Sequence, residues 1–149
     1  MTKTVRAPAV TAAELDKYVK ARPFLKDSGY SVPYAAYGEA HIVQAFDRNN
    51  VGISGGINGP TFMKLTDAVM FLAIYTVIGW DWQIVTTNLN FNFMRVPSLG
   101  DDIRAEARLL KIGKRLIVSD TYIYGVSQSE PAVHATGTFA IRPLQKKEA

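Results

Sequence analysis

Between Leu65 and Trp80 the chain is apolar at nearly every position, and Asp67 is its one charge. An element greasy on all sides is a helix surrounded by other structure. Pro60 suits a first helical position, because its missing N–H would be unpaired there anyway. Gly79 is a natural stop, so the pattern predicts a helix from about Pro60 to Ile78. The periodicity then changes to two. In Thr86 to Met94, asparagines alternate with Leu89, Phe91 and Phe93, which predicts a strand with one apolar face. Ile103, Ala105, Ala107 and Leu109 alternate with Arg104, Glu106 and Arg108 in a second. Lys111 to Lys114 turns tightly, Leu116 to Tyr124 is a third strand, and Ala132 to Ile141 is the last, closed by Pro143.

Upstream, Thr11-Ala12-Ala13-Glu14 is a capping box and Pro23 a stop, giving a helix at about residues 11–22. Residues 24–38 are aromatic but broken by Gly29, Pro33 and Gly38, and read as irregular packing segments. Ala40 to Phe46 reads as a strand. Residues 47–60, with four glycines and three asparagines, read as a long loop. The order is helix, strand, long helix, then four strands joined mostly by short hairpins. Short connections favour antiparallel neighbours. The layout is α+β, one antiparallel sheet packed on one dominant helix.

With 149 residues the chain is expected to form a single domain over residues 1–149, large enough for a core. It has no cysteine, which excludes disulfides, thiolate nucleophiles and cysteine metal sites. The N-terminus MTKTVRAPAV lacks the apolar stretch of a secretory signal, so a cytoplasmic protein is expected. The apolar run from Ala68 to Trp80 is shorter than the roughly 20 residues a bilayer requires, and no membrane association is expected. The net charge of +4 favours an anionic partner. No nucleic-acid motif accompanies it, and the densest basic run, Lys146-Lys147, lies in the tail. A phosphate-bearing small molecule fits better.

Two features carry possible chemistry. Asp67 sits about two turns inside the greasy helix, where a carboxylate costs free energy unless it is paired or faces a wet cleft. It either lies on a solvated stripe beside Lys64, or acts as a general base or nucleophile. The helix start, Asn58-Gly59-Pro60, offers unpaired amides with the geometry of an oxyanion hole. It is equally the shape of an ordinary asparagine cap. No phosphate-binding glycine motif leads into the helix, and no nucleophile-elbow serine motif occurs. His41 and His134 stand without metal-ligand spacing, so neither a metal nor a cofactor is expected.

The stretch from Asn58 to Ala68 resembles the signature of hot-dog fold acyl-CoA thioesterases of the phenylacetate-pathway type. There His-Gly-Gly precedes six mostly apolar residues and then Asp or Glu. Asp67 lies nine residues after Asn58, as in that pattern. Leu89 to Pro97, Gly100 to Ala107, Gly113-Lys114-Arg115 and Ala135 to Phe139 resemble the strands and hairpin that follow, so the likeness spans about residues 40–142. It implies a sheet wrapped around one central helix. It implies hydrolysis of a thioester to free acid and CoA, with Asp67 as base or nucleophile and the Gly59 amide polarising the carbonyl. Asn58 stands in the histidine position and Asn50 matches a water-positioning loop residue. Thr86 matches a hydroxyl supplied by the neighbouring subunit. Lys114 and Arg115 match basic residues that hold CoA phosphates. The site would lie between two subunits of a homodimer or homotetramer.

Three departures from the pattern stand out. Asn58 cannot exchange a proton near neutral pH, Pro60 removes an amide donor, and Phe71 replaces a small hydroxyl. A non-catalytic acyl-CoA binder on the same fold is therefore the alternative. A dehydratase would want a histidine beside the carboxylate, which the helix lacks. Phe62, Met63, Tyr75 and the aromatic 24–37 segment are expected either to line an acyl tunnel or to be core.

Overall fold

The computed structural model describes residues 4–145, so the basic pair Lys146-Lys147 lies outside it. Helix α1 (Ala12–Ala21) is followed by strands β1 (Tyr30–Ala36) and β2 (Glu39–Gln44). Helix α2 (Gly59–Ile78) precedes β3 (Trp82–Phe93), β4 (Ile103–Ile112), β5 (Leu116–Gly125) and β6 (Val133–Pro143). The six strands form one sheet in the order β1-β2-β4-β5-β6-β3, antiparallel at every pairing.

The helices begin and end where their caps direct. The Thr11 hydroxyl accepts from the Glu14 amide at 3.3 Å, and Asn58 caps α2. Gly79 closes α2 with φ 71°, a conformation other residues adopt only with strain. Two expectations fail. Part of the irregular 24–38 segment is strand β1. Its Pro33 is tolerated because β1 is a sheet edge and its pairing with β2 is irregular between Ser31 and Tyr34. The four later strands are also not simple successive neighbours. β3 pairs with β6 at the far edge rather than with β4, so residues 94–102 cross from the edge to the middle of the sheet.

The sheet curls around α2. Its inner face presents Ala40, Ile42, Ala105, Ala107, Ile117, Ile123, Ala135 and Phe139, all buried. Small residues let the helix approach closely. A Cβ on Gly137 would meet Met70 Sδ and Leu89 Cδ2 at 2.8 Å, so a larger residue there would force these side chains aside. The buried Thr76 hydroxyl accepts from the Gly38 amide at 2.8 Å and donates to the Ala73 carbonyl at 2.6 Å, locking the β1–β2 turn to the helix. At 20 residues and mean hydropathy 1.5, α2 is long and apolar enough to cross a bilayer, unlike the shorter run expected. Here it is the core of the fold.

Candidate active site

Asp67 and Thr86 meet. The Thr86 hydroxyl on β3 donates to Asp67 Oδ1 at 2.7 Å. The two belong to one chain, where the resemblance implied a hydroxyl supplied by the neighbouring subunit. The reading of Asp67 as a member of a solvated stripe paired with Lys64 fails, because Asp67 is half-buried and Lys64 does not pair with it. Its ammonium donates to Ser28 Oγ at 2.8 Å and lies 4.4 Å from the centre of the Phe24 ring. Among the described residues Asp67 has no ion-pair partner.

The carboxylate opens into a cavity of about 850 Å³. Met63, Ala68, Phe71, Leu72 and Tyr75 of α2 form one wall, Leu89 of β3 another, and Tyr18, Arg22, Phe24 and Leu25 a third. Burial raises the Asp67 carboxyl above its ordinary value, and the bond from Thr86 pulls it part of the way back. The arrangement is a carboxylate held by one oriented hydroxyl in a mainly apolar bowl, poised to take a proton. Tyr30 is buried nearby. Burial pushes its phenol far up, the Ser28 hydroxyl opposes this, and the Asp67 charge adds to it.

Of the residues expected to line a tunnel, Met63, Tyr75 and Phe24 do so. Phe62 is core and packs 6.1 Å from Phe93 between ring centres. Tyr34 and Tyr37 lie elsewhere, against His41 and Arg6. The contribution of α1 and of Lys64 was not foreseen. The spacing of Lys64 and Asp67 suggested a helical pair, and only the fold carries residues 22–28 over the helix to supply Lys64 with other partners.

The helix start is organised differently. Asn58 Oδ1 accepts from the amide and the hydroxyl of Thr61, both at 2.8 Å. Its Nδ2 and its amide donate to the Asn50 carbonyl at 2.9 and 2.8 Å. Asn58 is therefore a cap that fastens the loop to the helix. Asn50 borders a small separate cavity of about 10 Å³ beside Gln44 and Thr61. Gly59 is the first residue of α2, eight residues from Asp67. At 1.5 Å per residue that separation is about 12 Å along the axis.

Lys114 and Arg115 do not join the Asp67 cavity. With Trp82, Val85 and Arg142 they border another, of about 770 Å³. Val85 and Thr86 are consecutive on β3, so the two cavities lie on opposite faces of that edge strand. No group of His, Asp or Glu suited to a metal ion occurs among the described residues.

A family model described as the thioesterase superfamily matches residues 54–131. A protein of Thermoplasma volcanium, described as a candidate esterase, is 31% identical over 101 residues, covering 68% of this chain and 74% of the relative. A solved structure from Silicibacter sp. TM1040, described as a candidate thioesterase, superposes with a TM-score of 0.83 at 26% identity, covering 94% of this chain and 97% of that one. A hypothetical thioesterase from Streptococcus pneumoniae, solved with coenzyme A, shares the fold at 17% identity and TM-score 0.69, covering 78% and 88%. The chain belongs to the thioesterase superfamily, has its hot-dog fold, and is a thioester hydrolase by that membership.

Proposed function

We propose that this protein hydrolyses acyl-CoA thioesters and that Asp67 performs the chemistry. The observation that carries the reading is the half-buried Asp67 carboxylate, oriented by Thr86 at 2.7 Å and opening into an apolar cavity large enough for an acyl group. As a base, Asp67 takes a proton from water while the water oxygen bonds to the thioester carbon. The C–S bond then breaks, and the proton passes to the departing sulfur. As a nucleophile, its oxygen bonds to that carbon directly, the C–S bond breaks and the thiolate leaves. Water then cleaves the anhydride, returning the Asp67 carboxylate and the free acid and supplying the proton the thiolate takes. Either route consumes only thioester and water, so no cofactor is invoked. Coenzyme A as the thiol half agrees with its presence in the Streptococcus pneumoniae neighbour. Lys114 and Arg115, joined by Arg142 across the sheet edge, would hold its phosphates.

The oxyanion donor in this reading is Gly59 of a second copy. About 12 Å of helix separates Gly59 from Asp67 in one chain, too far for both to address one carbonyl. Asn58 and Asn50 would fix the donor's position without touching substrate. The two sheet edges support self-association. At β1, Asp16 of α1 accepts from the Val32 amide at 2.9 Å and α1 covers the edge. β3 is twelve residues long and carries the exposed Val85 and Phe93. A long bare edge invites a second strand. Light scattering should give a dimer or tetramer, and a monomer at micromolar concentration would sink the shared site.

The deciding experiment is release of free thiol from a panel of acyl-CoAs by the wild type and Asp67→Asn. Thiol release that depends on Asp67 supports the reading. Binding without release would leave a binder of acyl-CoA.

A further inference from the structure

The wall of the Asp67 cavity contains a cation that the proposed chemistry does not use. Lys64 lies one turn before Asp67 on α2 and is half-buried. Lysine is costly to bury without a counter-charge, yet Lys64 has no carboxylate partner among the described residues. Its ammonium has three donors. One goes to Ser28 Oγ, and the Phe24 ring face lies 4.4 Å away. These contacts fix where the charge stands without neutralising it. Arg22, at the rim of the same cavity, lies 4.6 Å from the centre of the Tyr18 ring and likewise has no carboxylate partner. The lining therefore holds two cations against one carboxylate, Asp67, with apolar and aromatic surface between.

We infer that the acyl group accepted here ends in a carboxylate, held by Lys64, while its thioester carbon lies at Asp67. The inference rests on the reading of Asp67 as the residue that acts on a thioester. Side chains lean toward the helix N-terminus, so Lys64 reaches away from Asp67. Its Cα is about 4.5 Å further along the axis. A short acyl chain spans from one group to the other, and a straight alkyl chain of the same length leaves the ammonium without an anion. A site built to receive a hydrogen-bonding anion discriminates strongly against an analogue lacking it.

The test compares adipoyl-CoA with hexanoyl-CoA, equal in carbon number and differing in the terminal carboxylate. For the wild type, kcat/KM should favour adipoyl-CoA about tenfold or more. In Lys64→Met the ratio should collapse toward one, chiefly through a higher KM for adipoyl-CoA, and Lys64→Arg should restore part of it. A wild type that does not favour adipoyl-CoA overturns the inference. So does a Lys64→Met variant that slows both substrates equally, because Lys64 would then only tie residues 24–28 to the helix. Calorimetric binding of free adipate and hexanoate to both proteins separates this inference from the catalytic reading. Lys64-dependent adipate binding with no thiol release from either thioester would leave the anion site standing and remove the hydrolase. Absence of adipate binding, with hexanoyl-CoA turned over, would do the reverse.

Discussion

Asn58, which caps helix α2, and Asp67, nine residues on in its middle, are treated in opposite ways. Asn58, at its start, has its oxygen and its amide nitrogen both bonded, and its backbone amide is bonded as well. Asp67, in its middle, has one hydrogen bond for a group that accepts about four, and burial makes its charge unfavourable. A cap satisfies its neighbours and is satisfied by them. An under-coordinated carboxylate beside a cavity retains the capacity to take a proton or attack a carbon. Polar residues within one greasy element can thus be divided into structural and chemical by counting what they leave unmade.

The contrast breaks most sharply at Asp67. Asp67→Asn keeps the shape and the bond from Thr86 but cannot accept a proton, and thiol release should fall about a hundredfold or more. Its melting temperature should not fall. Burial raises the folded carboxyl above its unfolded value, so the group favours the fold at acid pH. That contribution is lost as pH rises through the raised value. At neutral pH the uncharged variant should therefore melt at or above the parent, and in acid the gain should vanish. A large drop in melting temperature at neutral pH, with turnover intact, would make Asp67 structural.

Thr86→Val tests the one bond Asp67 does make. The hydroxyl stabilises the ionised form, so its removal should move the acid limb of the kcat/KM profile to higher pH and slow the reaction about tenfold below that limb. An unmoved limb would mean that Asp67 is not the titrating base. Asn58→Ala should act in the reverse sense to Asp67→Asn. Losing the cap should cost about 1 kcal/mol or more of stability, read by denaturant melts, and Asn58→Ser should recover much of it. The smallest effect should come from the far cavity. Alanine at both Lys114 and Arg115 should raise KM for an acyl-CoA a few-fold with kcat nearly unchanged. The effect should shrink in high salt and disappear with a truncated thioester lacking the nucleotide.

Local rules determined much of this protein. The capping box at Thr11, the Pro60 and Gly79 boundaries and the greasy run between them set both helices to within a residue or two, because caps and periodicity act over a single turn. Alternation located most of β3 to β6, and Asp67 stood out as the one charge in its run. The tertiary structure decided the rest, since it depends on which distant segments meet. β1 was hidden by Pro33 and Gly29, which read as breaks until the strand is seen to be an edge. Spacing offered Lys64 as the partner of Asp67, and only packing shows Lys64 turned to Ser28 and Phe24 while Thr86, nineteen residues on, takes its place. Lys114 and Arg115 lie in the turn between β4 and β5, and nothing local in the sequence shows which cavity they border. The fold sets that cavity apart from Asp67: Val85 and Thr86, consecutive on β3, face one cavity each, because neighbouring strand residues point to opposite sides of a sheet.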